Sequence, residues 1–105
     1  MSNDKREVGG KVRVLTLSDC DYCSWLKSEL DIEGITYTNI DANTFSDFAN
    51  MVEDKFQTKY YPIVFIDIGD KVITILSETK LETSETLRTF NTIPELVGII
   101  KSYIK

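Results

Sequence analysis

Two apolar runs flank a two-residue break: Ile63-Val64-Phe65-Ile66-Asp67-Ile68, then Gly69-Asp70, then Lys71 to Leu76. Glycine enters the positive-φ conformations that two-residue turns need, so this pattern commits the chain to an antiparallel β-hairpin. A lone hairpin is marginal in water, so the rest of the chain must supply partner strands and a covering layer.

The sequence before the hairpin provides both. Val12, Val14, Leu15 and Leu17 form a short apolar run that reads as a buried strand. Trp25, Leu26, Leu30 and Ile32 follow as the core face of a helix, with Gly34 as its stop signal. Ile35 to Ile40 alternates as a second strand. Asn43 or Thr44 caps the next helix in this reading, with Asp47 at capping-box distance from Thr44. Phe45, Phe48, Ala49, Val52 and Phe56 then recur at helical spacing.

After the hairpin, residues 77–91 are rich in Ser, Thr and Glu, with Leu81, Leu87 and Phe90 as large apolar anchors. They read as a long connection with room for a short strand. Thr92 is placed to cap a final helix, with Pro94 in its first turn and Glu95 at the third position. The apolar face of that helix is Leu96, Val97, Ile99, Ile100 and Ile104. The order β-α-β-α-β-β-α predicts an α/β domain: a four-stranded mixed sheet with three helices packed on it. The domain spans residues 11–105, preceded by a flexible segment over residues 1–10.

Charge and composition narrow the function. Twelve basic and 17 acidic residues give a net charge of −5, a poor match to nucleic acid or an anionic membrane. The chain has no histidine, which excludes imidazole-based acid–base chemistry and the triads built on it. The opening MSNDKREVGG lacks the apolar core of a signal peptide, and no run approaches the roughly 20 apolar residues of a membrane span. The expected location is the cytoplasm, where structural disulfides do not persist.

The two cysteines of the chain lie within Ser18-Asp19-Cys20-Asp21-Tyr22-Cys23-Ser24-Trp25. A disulfide between them closes too small a loop to constrain the unfolded chain, so it is not a stability staple. A C-x-x-C pair between a strand and a helix reads instead as a redox motif. A thiolate attacks disulfides, and the unpaired N–H groups of a helix start stabilise that thiolate. Cys20, just before the first turn, is the nucleophile; Cys23, one turn on, is the resolving thiol. Asp19 and Asp21 oppose the helix end, because like charge disfavours the thiolate. Asp19 has a second reading, as the cap of the helix. Tyr22 either shapes the substrate groove or covers the core, and Trp25 is read as core.

Cys20-Asp21-Tyr22-Cys23 resembles the C-P-Y-C motif of dithiol glutaredoxins, with Asp in place of Pro. Tyr60-Tyr61-Pro62 is similar in placement to the T-V-P stretch of that family. The resemblance covers about residues 11–76 and 90–104. It implies a thioredoxin-like fold and a glutathione-linked thiol–disulfide oxidoreductase acting on protein disulfides or glutathione mixed disulfides. It implies a cis Pro62 facing the cysteines and a Tyr61 backbone that pairs with the cysteinyl part of glutathione. It also implies carboxylate contacts at Lys59 and Thr92, and a polar contact near Gln57. Lys59 reads equally as a solvated lysine.

The chain departs from the family at Leu17, where a basic residue usually stands, and at Asn91-Thr92 and Pro94-Glu95, where the family carries Gly-Gly followed by two acids. Residues 77–91 exceed the usual connection and are expected to shape access for a protein substrate. The resemblance further implies glutathione as co-substrate, no required metal, a monomer, and reducible protein partners such as ribonucleotide reductase. The alternatives are a [2Fe–2S] carrier dimer that uses Cys20 and glutathione, or a dithiol reduced by thioredoxin reductase. Asp21 in place of the motif proline is the feature that bears on the cluster alternative.

Overall fold

The computed structural model describes residues 11–104. The expected flexible segment over residues 1–10 and the terminal Lys105 lie outside the described residues. Along the chain come β1 (Lys11–Thr16), α1 (Asp21–Ile32), β2 (Tyr37–Asp41), α2 (Ser46–Phe56), β3 (Ile63–Ile68), β4 (Lys71–Leu76), β5 (Leu87–Thr89) and α3 (Ile93–Ile104). The strands form one mixed sheet in the order β2-β1-β3-β4-β5. The outer pairs β1–β2 and β4–β5 are parallel, and β1–β3 and β3–β4 are antiparallel.

The hairpin forms as expected: Ile68 pairs with Lys71, and Gly69 supplies φ +61° at the first turn position. Side chains alternate across each strand, so the sheet sorts its apolar residues onto two faces. Val12, Val14, Val64, Ile66, Ile73 and Ile75 face α1 and α3, which contribute Leu26, Leu30, Leu96 and Ile100. Leu15, Ile63, Phe65 and Leu76 face α2, which contributes Ala49 and Val52. Each large side chain buried this way contributes about 1.5–3 kcal/mol. None of the helices among the described residues is long and apolar enough to cross a membrane.

The sheet has five strands rather than the expected four. The extra strand comes from the Ser/Thr/Glu-rich connection. Ser84 and Leu87 close a tight turn through reciprocal backbone bonds of 2.9 and 3.4 Å, and Thr74 N–H donates to Thr86 C=O at 2.8 Å. Leu87 is then buried beside Leu76, and the segment covers an edge of β4 that would otherwise present unpaired backbone groups. With one buried apolar side chain in three residues, β5 has too short an alternation to read from sequence. Leu81, read as an anchor, is instead exposed.

Two helix starts differ in kind. Thr92 accepts the Glu95 N–H at 3.2 Å while Glu95 Oε1 accepts the Asn91 N–H at 2.8 Å, so α3 begins where expected. Helix α2 begins later than expected: its N-cap is Phe45, which makes no side-chain cap bond, and not Asn43 or Thr44. Asp41 takes the Asn43 N–H at 2.8 Å and holds residues 41–44 in a turn. Phe45 therefore stays exposed, off the α2 core face.

Helix α1 ends in a Schellman motif. Gly34, at φ +73°, donates to Asp31 C=O at 3.1 Å, and Ile35 N–H donates to Leu30 C=O at 2.9 Å. A Cβ on Gly34 would meet nothing within 4 Å, so a substitution there is opposed by backbone conformation alone. Gly34→Ala is expected to lower stability by about 1–2 kcal/mol, read as a lower urea midpoint. An unchanged midpoint would contradict this assignment.

Candidate dithiol site

Antiparallel pairing of β1 with β3 puts the end of β1 beside the start of β3, with Leu15 opposite Ile63. The chain leaves β1 at Thr16 and reaches Cys20 before α1 begins. It enters β3 through Tyr61-Pro62, whose peptide bond is cis as expected. Cys20 Sγ therefore lies 4.0 Å from the Tyr61 carbonyl oxygen, although 41 residues separate them. Parallel pairing of β5 on β4 carries Thr92 and the start of α3 to the same end of the sheet. Helices α1 and α3 both start there, on the same face of the sheet.

Cys20 is the N-cap of α1, with φ −108° and ψ 108°, and its Sγ accepts the Cys23 backbone N–H at 3.1 Å. This is the contact expected to stabilise a thiolate. The role of cap falls to Cys20 and not to Asp19, because the chain takes helical dihedrals only from Asp21 onward. Cys23 is buried and Cys20 is half-buried. Their Cα atoms are 5.2 Å apart and their sulfurs stand at disulfide distance. One sulfur thus faces outward and its partner sits beneath it. Asp19 and Asp21 are exposed on either side of Cys20.

The neighbours of the dithiol are more apolar at the surface than expected. Trp25, read as core, is 44% exposed, and Tyr22 is 61% exposed. The inward stripe of α1 is Cys23, Leu26 and Leu30. Trp25 is turned about 100° from Leu26 around the helix, which brings it to the surface. Ile32 stands off the same stripe and is exposed too. Tyr22 and Trp25, three residues apart, stack with centroids 6.3 Å apart and planes at 24°. Tyr22 thus stands at the surface and does not cover the core. Leu17, three residues before Cys20, and Tyr60, the neighbour of Tyr61, are also exposed.

Tyr61 is held from the other side of the sheet. Its hydroxyl donates to Glu53 Oε2 at 2.6 Å, and its ring packs with the α2 cluster. Glu53 was not legible as a site residue, because nothing in its local pattern distinguishes it from a solvated acid of α2. Burial comes first, and the hydrogen bond to Glu53 and that carboxylate's charge add to it, in pushing the Tyr61 phenol above the ordinary tyrosine range. The neutral phenol is therefore the form favoured by folding. Its contribution is full below the unfolded value near about pH 10 and is lost as pH rises through the folded value. Tyr61→Phe is expected to flatten the loss of stability above about pH 10, followed by urea midpoints across that range. A residue of the slope remains with Tyr37, raised by burial and by Asp31. Identical slopes in both proteins would contradict the assignment.

Gln57 and Lys59 are brought together on a cleft of about 800 Å³ between the end of α2 and residues 77–80. Gln57 sits in the left-handed region at φ 51° as the C-cap of α2. Thr79 donates its hydroxyl to Phe56 C=O at 2.5 Å, and Lys80 N–H donates to Gln57 C=O at 3.3 Å, tying the connection to that helix end. Tyr60 also lines this cleft, but neither cysteine does, and neither does Pro62. Pro62 itself is buried. Thr92 uses its hydroxyl to cap α3, and among the described residues no hydrogen bond links it to the cysteines. Comparison of the chain with family models, curated proteins and solved structures finds no match.

Proposed function

We propose that the protein is a glutathione-linked thiol–disulfide oxidoreductase of the glutaredoxin type, built on a thioredoxin-like fold. The observation that carries this reading is the Cys20 sulfur: it caps α1, accepts the Cys23 N–H at 3.1 Å and lies 4.0 Å from the carbonyl that precedes cis Pro62. The strand order β2-β1-β3-β4 supports the fold, with β5 as an added edge.

In the reaction the Cys20 thiolate attacks one sulfur of a substrate disulfide. A Cys20–substrate S–S bond forms, and the other substrate sulfur leaves as a thiolate that takes up a proton. Cys23, deprotonated, then attacks Cys20 Sγ. The Cys20–Cys23 bond forms and the second substrate thiolate departs. Two electrons and two protons have passed from the dithiol to the substrate. Two glutathione molecules return the dithiol and leave as glutathione disulfide. On a glutathionylated protein, a glutathione thiolate resolves the Cys20 mixed disulfide directly. Lys59 and Gln57, together on one cleft, and Thr92, at the start of α3, are assigned to the carboxylate and polar groups of glutathione.

The test is the initial rate of glutathione release from a glutathionylated peptide, with reduced glutathione as the only reductant. Saturable turnover is expected, and no rate above the uncatalysed reaction would refute the glutathione-linked reading. Leu17, exposed where the family carries a basic residue, favours a second reading with thioredoxin reductase as the electron donor. Turnover with that reductase and NADPH, and none with glutathione, would select it.

A further inference from the structure

The surface around Cys20 combines two features that a tripeptide substrate does not need. Asp19 and Asp21 are both exposed beside the reacting sulfur, and no basic residue occurs from Leu17 to Ser24 or from Tyr60 to Pro62. The stacked pair Tyr22–Trp25, on the first turns of the helix that Cys20 caps, leaves two large aromatic side chains in solvent, and Leu17 and Tyr60 are exposed on the segments that lead to Cys20 and to Tyr61. Exposed aromatics around a reactive centre mark a surface that is covered in use. Lys27 lies two turns along α1 and is half-buried, and Lys59 stands on the neighbouring cleft among Glu53, Glu78 and Lys80, so neither offsets the two acids.

We infer that the preferred oxidant is a polypeptide disulfide with Lys or Arg beside the reacting cysteine and an apolar side chain close by. The inference rests on the dithiol chemistry proposed above and adds the substrate class. Charge complementarity sets the occupant. A cationic flank meets Asp19 and Asp21, while an anionic one meets like charge. The apolar side chain covers Tyr22 and Trp25. Among the described residues no backbone group is bonded to the Tyr61 N–H, and the Tyr61 carbonyl faces Cys20 Sγ at 4.0 Å, which leaves the N–H for the backbone of the incoming chain.

The reduced full-length protein is mixed with an equimolar peptide disulfide, and Cys20–Cys23 oxidation is timed by alkylation and mass. This single turnover needs no electron donor. Three peptides differ only in the residues flanking cysteine: Lys, Ser or Glu. The expected order is Lys, then Ser, then Glu, with a Lys-to-Glu ratio of about tenfold at low salt, the scale of a few exposed ion pairs. High salt shrinks that ratio. The double variant Asp19→Asn, Asp21→Asn collapses it, while raising the rate at which neutral iodoacetamide alkylates Cys20, because the thiolate loses two like charges. Tyr22→Ala with Trp25→Ala slows all three peptides and leaves the ratio in place. Equal rates on the three peptides would overturn the inference and leave the oxidoreductase standing. Oxidation by none of them would overturn both.

Discussion

Cys20→Ser is expected to abolish reduction of every disulfide substrate, down to the uncatalysed rate. The hydroxyl that replaces the thiol is not ionised at neutral pH and forms no S–S bond, so the first step has no nucleophile. Cys23→Ser is expected to divide the two kinds of substrate. A glutathionylated peptide is still turned over, since a second glutathione resolves the Cys20 mixed disulfide. A protein disulfide is attacked once and then held as a covalent complex, which a mass shift on a non-reducing gel detects. The asymmetry follows from burial: Cys23 is 1% exposed and an incoming substrate meets Cys20 first. Equal loss of both activities in the two variants would contradict this division of labour.

The largest stability effect is expected beneath the site. Leu26 is fully buried on α1, one turn past Cys23, and packs with Leu30, Val14, Val64 and Ile93. Leu26→Ala removes most of the side chain from a close-packed layer and leaves a cavity, a loss of about 2–5 kcal/mol. For a domain of this size, Tm falls by about 10 °C or more. The folded variant should keep its disulfide-exchange rate within about an order of magnitude, because the cap joins Cys20 Sγ to the Cys23 N–H at the helix start and Leu26 takes no part in it. A Tm shift below about 3 °C would mean that the α1–sheet contact is looser than described.

Much of this arrangement was legible in the sequence, for identifiable reasons. The hairpin, the β-α-β beginning and the capped last helix each rest on a local signal that no other part of the fold opposes. The dithiol was legible because a C-x-x-C pair between an apolar run and a helix pattern carries its own chemistry. The fifth strand was not, because Leu87 alone carries the apolar signal and the rest of the segment reads as a connection. Trp25 was misplaced because a stripe of apolar residues does not tell which edge faces the sheet; Cys23, a small hydrophobe in its burial, took the inward position. The start of α2 was misplaced because Asp41 captures the Asn43 N–H, a competition that only the β2 geometry decides. The Tyr61–Glu53 bond joins a loop to a helix and leaves no periodic trace.

On the reading proposed above, Cys20 and Cys23 form one reversible redox couple in exchange with glutathione. The most direct test is to equilibrate the protein across ratios of reduced to oxidised glutathione, trap it with an alkylating agent and weigh it. A single transition is expected in which both thiols appear together, with a tenfold change in the dithiol-to-disulfide ratio for about 30 mV, as a two-electron couple requires. A protein whose thiols stay reduced, or stay joined, across the whole range would contradict it.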